Sequence, residues 1–140
     1  MAASLTQTAV TSRVSSVLNR DVKQFGKKFL FDNNEETCWN SDQGKPQWVY
    51  VEFQEPSHLK ELHLQFQGGF ASKTCWVEGS LQGDDASKVM DFYPKDDNTL
   101  QIFHFPDGTR ASSVKIVFAE STDFFGRITL YKLDVLGSAL

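Results

Sequence analysis

Cysteine is scarce in this chain of 140 residues, with Cys38 and Cys75 the two present. Two thiols cannot build a disulfide framework, and their wide separation excludes a Cys-x-x-Cys metal or redox pair. Free thiols, buried as small hydrophobes in a reducing compartment, are the expectation. Basic charge is also in short supply. With 14 Lys and Arg against 18 Asp and Glu, the formal charge is −4, so bulk electrostatics would attract neither nucleic acid nor an anionic membrane. The single adjacent basic pair, Lys27 and Lys28, falls short of a localisation cluster. Long apolar runs are missing: nothing approaches the ~18 residues of a membrane span. Residues 1–10 lack the charged-then-apolar pattern of a secretory leader, and there is no Asn-x-Ser/Thr acceptor. A soluble, unexported, intracellular protein is expected, and a monomer.

Catalytic signatures are absent too. The sequence holds no Gly-x-Ser-x-Gly, no His-Glu-x-x-His and no phosphate-cradling glycine loop. His58, His63 and His104 lie in no nucleophile motif and are expected on surface strands or loops. Cys38 follows the acidic run from Asp32 to Glu36, which should raise a thiol pKa and make a poor nucleophile. No catalytic residue is assigned, hydrolysis is the disfavoured reading, and a non-enzymatic module is expected. The Leu-x-x-Leu-Leu helix of receptor coactivators is also missing. Leu59-Lys60-Glu61-Leu62-His63 falls instead on an expected strand, so any receptor contact would have to use a folded surface.

What the chain does have is aromatic weight and short-period alternation. Its 12 Phe and 3 Trp favour sheets. Residues 47–54 (Gln-Trp-Val-Tyr-Val-Glu-Phe-Gln) predict a strand after the turn-rich run from Asn40 to Pro46, and Glu55-Pro56-Ser57 is expected to break it. Leu62, Leu64 and Phe66 alternate with Glu61, His63, Gln65 and Gln67, the period of a half-buried strand. Further strands are expected at 74–82, 89–93, 100–105, around Val114, Ile116 and Phe118, and at 128–136. In the last of these, Leu133 and Val135 share one face and Leu130, Lys132 and Asp134 the other. Short extended pieces and turns are expected from 13 to 31, a loose arm over 1–12, one domain over 13–137, and a tail over 138–140. Seven or eight short strands at this spacing, with no sustained helical period, point to an all-β antiparallel sandwich or barrel.

The series Phe31-Asp32, Glu36-Thr37-Cys38-Trp39, Ser41-Asp42, Gln47-Trp48-Val49, Glu52-Phe53 and the closing Leu133-Asp134-Val135-Leu136-Gly137 resembles the discoidin, or coagulation-factor type C, family. That resemblance implies a galactose-binding-like jelly roll across nearly the whole chain. A narrower likeness rests on residues 13–20, 24–28, 35–44, 65–70 and 122–127. It is to a family of small single-domain proteins that associate with an orphan nuclear receptor, and it implies a nuclear repressor that keeps the receptor off its DNA response element. The alternative implied by the wider family is a lectin-like module for a glycan or other small polar ligand.

Site expectations follow from both sources. Asp32, Asn34, Thr37 and an acidic residue of the closing strand, here Asp134, are weak calcium candidates; hard oxygens of this kind suit that ion. The position where the family commonly has the acid is Lys132, so a metal-free clasp of Asp32 with Lys132 is expected and no cofactor is favoured. Trp39 and Trp48 are expected in the core, while Trp76 shares its face with Glu78 and Ser80 and is expected to be partly exposed. Phe124 and Phe125 cannot both point inward from an extended strand. With Arg127 they are expected to be either a protein-binding hot spot or a plug for the end of the sandwich. Phe70 and Lys73, after Gly68-Gly69, form a second candidate loop.

Overall fold

In the computed structural model, which describes residues 2–140, the alternating segments form nine antiparallel strands. They are β1 (Ala3–Ser4), β2 (Thr11–Val14), β3 (Trp39–Asn40), β4 (Gln47–Phe66), β5 (Ser72–Ser80), β6 (Ser87–Phe92), β7 (Leu100–His104), β8 (Arg110–Ser121) and β9 (Thr129–Ala139). The expected break at Pro56 is instead a change of partner within β4. Its first half pairs with β2 and β8, and β8 pairs on with β5, which pairs with β6. Its second half pairs with β7 and β9, and β9 carries β1 and β3 on its far side. The register slips between Glu52 and Ser57. Proline has no N–H to give a ladder, so it sits where the strand leaves one sheet and enters the other.

Period two decides what lies between the sheets. Val49, Val51, Val77, Val114, Ile116 and Phe118 from one sheet face Leu62, Leu64, Phe66, Leu133 and Val135 from the other, all buried. Phe118 is the hub. Its ring lies 5.7 Å from Phe66, edge to face, and 6.4 Å from Trp39, separations at which aromatic pairs attract. Trp39 is fully buried, and its indole N–H donates to the Ser16 carbonyl at 2.9 Å. Leu130, expected on the outer face, is buried as well. A bulge places Phe66 opposite Leu130 while Gln65 still faces Lys132, which turns both 130 and 133 inward.

Trp48 departs from expectation in the opposite sense. Its strand neighbours Val49 and Val51 point inward, so Trp48 and Tyr50 stand on the outer face. There Lys115 lies 4.8 Å over the Trp48 ring, Arg13 4.8 Å over Tyr50, and Lys88 5.0 Å over Trp76, all within cation–π range. Val117, cross-strand from both Trp48 and Trp76, is 3% exposed. It is covered on the solvent side of the sheet by the neighbouring aromatics.

The segment expected to be a loose arm is tied down. Leu5 N–H donates to the Val135 carbonyl at 2.8 Å, and β1 pairs with Leu136 and Gly137. The Ser4 and Thr6 hydroxyls both donate to Asp134, at 2.7 and 2.6 Å. Short hydroxyl side chains, uninformative as a pattern, here find a carboxylate. The expected tail is also engaged, since Ser138 and Ala139 pair with His58 and Ser57. Residues 18–30 are helical turns where short extended pieces were expected: a 3-10 turn (Leu18–Arg20), α1 (Val22–Phe25) and a second 3-10 turn (Lys27–Leu30). Asp21 caps α1 by accepting from the Gln24 N–H at 3.2 Å.

One buried amide joins these parts. Gln47 Oε1 accepts from the Ser15 and Ser16 hydroxyls at 2.5 and 2.8 Å. Its Nε2 donates to the carbonyls of Asp42 and Gly44 at 3.1 and 2.9 Å. Ser15 Oγ accepts in turn from the Trp48 N–H and Ser16 Oγ from the Asp42 N–H, both at 2.9 Å. Gln47→Leu would leave the Ser15 and Ser16 hydroxyl protons and the Gly44 carbonyl without this partner and the Asp42 carbonyl with the Ser41 hydroxyl alone, in a water-poor site. It should cost roughly 2–4 kcal/mol in a denaturant melt, whereas the exposed Gln43→Leu should stay within about 0.5 kcal/mol; equal effects would contradict this role.

Candidate functional site

The loop that joins β8 to β9 is built on Asp123. Its Oδ2 accepts from the main-chain N–H and Nε of Arg127 at 3.1 and 2.9 Å, and its Oδ1 accepts from Nη2 at 3.1 Å. A two-toothed carboxylate–guanidinium contact of this kind fixes orientation as well as distance. It holds the Asp123 carboxyl below the usual carboxylate range, chiefly through the side-chain hydrogen bond with Arg127. The Ser121 hydroxyl closes the loop, donating to the Arg127 carbonyl at 2.5 Å and accepting from the Asp123 N–H at 2.9 Å.

Phe124 and Phe125 ride on this frame and face solvent, 94% and 53% exposed. Their rings are perpendicular with centroids 5.2 Å apart. Neither plugs the sandwich. Gly126 takes φ +87° directly after them, a conformation glycine adopts without strain. A Cβ there would come 2.5 Å from the Gly44 carbonyl oxygen, while Gly44 N–H donates to the Phe125 carbonyl at 2.8 Å. Loop 40–46 therefore acts as the floor under the aromatic tip.

The Arg127 guanidinium lies 5.3 Å from the Phe70 ring and 5.6 Å from Phe125, so the two loops expected to matter meet at one cation. Thr122 fastens them, donating its N–H to the Ala71 carbonyl at 2.8 Å and accepting from the Ala71 N–H at 3.1 Å. Beside the Phe pair is a cavity of about 310 Å³ whose walls include Lys45, Glu120, Phe124 and Phe125. On the other side of Arg127, a cavity of about 180 Å³ is lined by Leu18, Asn40, Gln67, Phe70 and Thr129. Lys73 lines a neighbouring groove with Thr74, Asp96 and Thr122. Trp76 is not part of this cluster. Its indole donates to Glu78 at 2.8 Å and its ring lies under Lys88 on the outer face of the sheet. The sequence placed Asp123 in the candidate loop but did not show that it orients Arg127, and it missed Gly44, which meets Gly126; both act through contacts that no short motif encodes.

The acidic loop resolves differently from expectation. Asp32 forms no ion pair with Lys132 among the described residues. Its oxygens are taken locally, Oδ2 by the Thr37 hydroxyl at 2.6 Å and Oδ1 by the Asn34 N–H at 3.0 Å. Asn34 Oδ1 accepts from the Glu36 N–H at 2.9 Å, and Asp134 is turned to Ser4 and Thr6. Lys132 instead lines a shallow cavity with Asn33, Glu35, Gln65 and Leu100. The calcium candidates Asp32, Asn34, Thr37 and Asp134 are thus committed to internal hydrogen bonds, and no three His, Cys, Asp or Glu groups converge on a metal position among the described residues. Burial pushes the Cys75 thiol up to about 12 and raises that of Cys38, leaving both as poor nucleophiles. Cys38 is half-buried where full burial was expected.

Comparison with known proteins places this geometry. The model of the F5/8 type C domain matches residues 9–130. Nuclear receptor 2C2-associated protein of Danio rerio is 58% identical over 137 residues, covering 98% of this chain and 97% of that protein. The Homo sapiens protein of that name is 51% identical over 137 residues, covering 98% of each chain. Among solved structures, the family 32 CBM from Clostridium perfringens NanJ in complex with galactose superposes with a TM-score of 0.80 at 15% identity, over 97% of this chain and 99% of that one; that likeness shows the fold. The chain, an antiparallel jelly-roll sandwich with an aromatic loop end, belongs to the F5/8 type C domain family and, within it, to the family of nuclear receptor 2C2-associated proteins.

Proposed function

We propose that this domain is a non-enzymatic interaction module that binds an orphan nuclear receptor in the nucleus and represses it by hindering its association with DNA response elements. The observation that carries the binding surface is the pair Phe124 and Phe125, held out into solvent by the Asp123–Arg127 contact. Exposed aromatics beside an oriented arginine are the composition of interface hot spots. The names of the relatives supply the class of partner. Phe70, Lys73, Phe124, Phe125 and Arg127 are assigned to the contact; Trp76, remote from the tip, belongs to it only if the receptor also covers the outer face.

A second reading is favoured by the cavity beside Arg127. An aromatic ring (Phe70), a guanidinium, two amides (Asn40, Gln67) and a hydroxyl (Thr129) in one concavity suit a small polar ligand such as a glycan. The acidic loop, held by Thr37 and Asn34, is assigned a structural role that needs no calcium.

In a pull-down with the receptor, Phe125→Ala and Phe124→Ala should each weaken binding with the melting temperature nearly unchanged, since the rings, 94% (Phe124) and 53% (Phe125) exposed, contact each other and Arg127 at the loop tip and lie outside the core. The double variant should lose roughly 30-fold or more, the ~2 kcal/mol of a hot spot. Wild-type binding by the double variant and by Arg127→Ala would place the interface elsewhere, and a clear glycan-array hit with no receptor capture would favour the second reading. The Asp123 carboxyl is lowered in the folded state, so its contribution is complete above its unfolded value of about 3.9 and is lost as pH falls through the folded value. NMR signals of the two Phe rings should therefore hold from neutral pH down to about 3.9 and shift only as pH falls further, through the folded value; a shift already near neutrality would contradict the pairing. Melting temperatures in calcium and in chelator should agree, and a rise of several degrees with calcium would overturn the metal-free loop.

A further inference from the structure

Arg127 is a cation with hydrogen-bonding capacity to spare. A guanidinium carries five N–H donors in one plane, and Asp123 takes the pair on one side of it, Nε at 2.9 Å and Nη2 at 3.1 Å. Both groups on Nη1 and the second on Nη2 have no acceptor among the described residues. Two of these, one on each Nη, leave the end of the fork in parallel, the geometry that meets both oxygens of a carboxylate. The flanking groups do not compete for them, because the rings of Phe70 and Phe125, 5.3 and 5.6 Å away, offer only π-faces. The cavity of about 180 Å³ that has Arg127 in its wall shows the same imbalance. Its side-chain acceptors are already met: Asn40 Oδ1 accepts from the Thr129 hydroxyl, Gln67 Oε1 from the Tyr131 hydroxyl at 3.3 Å, and Ser41 Oγ from the Ile128 N–H at 2.8 Å. Its donors are in surplus. Gln67 Nε2 has no partner among the described residues, and Asn40 Nδ2 meets only the Cys38 sulfur at 3.5 Å, a weak acceptor. No residue lining the cavity is acidic.

We propose that this cavity is a carboxylate site, filled by an aspartate or glutamate side chain of the protein that covers Phe124 and Phe125; the occupant rests on the loop end being the receptor-binding surface. Surplus donors around one cation call for a ligand that brings acceptors and negative charge. An ionised carboxylate is acceptor-only, whereas each hydroxyl of a neutral sugar brings a further donor. The free end of the Arg127 fork supplies a two-toothed contact and the Gln67 amide a third bond. The Phe125 ring lies against the same guanidinium, so a chain laid over the aromatic tip passes within reach of the cavity. Asp123 already offsets part of the Arg127 charge, and a lone carboxylate therefore binds weakly, with a dissociation constant on the order of 1 mM. Carried on a partner that the apolar tip already holds, the same contact becomes intramolecular and effective. The tip then supplies apolar area, and the cavity selects a partner with an acid beside its apolar groove.

NMR titration of the full chain with N-acetylglutamic acid α-amide, at fixed neutral pH and ionic strength, tests this. The Arg127 Nε–H, the Gln67 side-chain amide and the Phe70 ring should shift together on one binding curve. N-acetylglutamine α-amide, the same shape without the charge, should bind weaker by roughly tenfold or more. Arg127→Lys keeps the charge and loses the fork, and should weaken the glutamate derivative by roughly tenfold or more. Gln67→Met keeps the volume and loses the donor, and should weaken it less. Lys45→Met, which removes a cation outside the cavity, should leave it unchanged. Melting temperatures check the fold of each variant, and the comparison of the two derivatives needs no variant. No response to the glutamate derivative, an equal response to the glutamine derivative or to galactose, retention of binding in Arg127→Lys, or its loss in Lys45→Met overturns the carboxylate site. Tighter binding of galacturonate than of the glutamate derivative overturns the protein occupant in favour of an acidic glycan. No receptor is present in the titration, so its failure leaves the Phe124 and Phe125 interface standing, and failure of that interface in the pull-down leaves the titration's outcome unchanged.

Discussion

A buried side-chain amide must have every hydrogen-bonding group met, and at Gln47 that requirement governs the loop end of the molecule. A carboxamide offers two donors and an acceptor with two lone pairs. Here the hydroxyls of residues 15 and 16 fill the acceptor, while the carbonyls of 42 and 44 take the donors. The cost of leaving any of these unpaired away from water exceeds the net gain of making it. Two stretches distant in sequence, 15–16 and 42–47, are therefore held to one geometry. Trp39 depends on the same arrangement, because the carbonyl that receives its indole N–H belongs to Ser16.

From that node the constraint reaches the surface. Gly44, whose carbonyl Gln47 holds, gives its N–H to Phe125 and lies against Gly126. The two exposed phenylalanines are thus supported from below by a loop whose position is set by an interior amide, and from the side by Asp123 and Arg127. An apolar tip with so little freedom loses little conformational entropy when covered. Stiffness and exposure together distinguish it from an ordinary mobile loop.

Much of this was legible in the sequence, for reasons that differ by element. Period two revealed the strand through Leu62, Leu64 and Phe66 and that through Val114, Ile116 and Phe118, because one face of each is buried. The same rule, applied to Val49 and Val51, puts Trp48 outside; aromatic bulk suggested core, and parity decided otherwise. Pro56 reads as a stop because proline ends a ladder, yet a strand that changes sheets needs no ladder at the corner. Turns of three or four residues between 18 and 30 carry no period. At the site, the adjacent Phe residues showed that an extended chain cannot bury both, but left open whether they are displayed to solvent or plug the end of the sandwich. The partners of Asp32 were not legible: a carboxylate two and five residues from a free N–H and a hydroxyl satisfies itself locally before a distant lysine can compete.

The continuity of β4 through both sheets bears on how the chain folds. A sandwich whose sheets share no strand could form one layer first and dock the second. Here residues 47–66 pair with strands ending at residues 14, 104, 121 and 139, so neither layer closes until segments from both ends of the chain have arrived. Contacts of such long sequence separation slow the search for the native state. They also remove any stable half-structure from which unfolding could proceed in steps, so the domain gains and loses its two sheets as one cooperative unit.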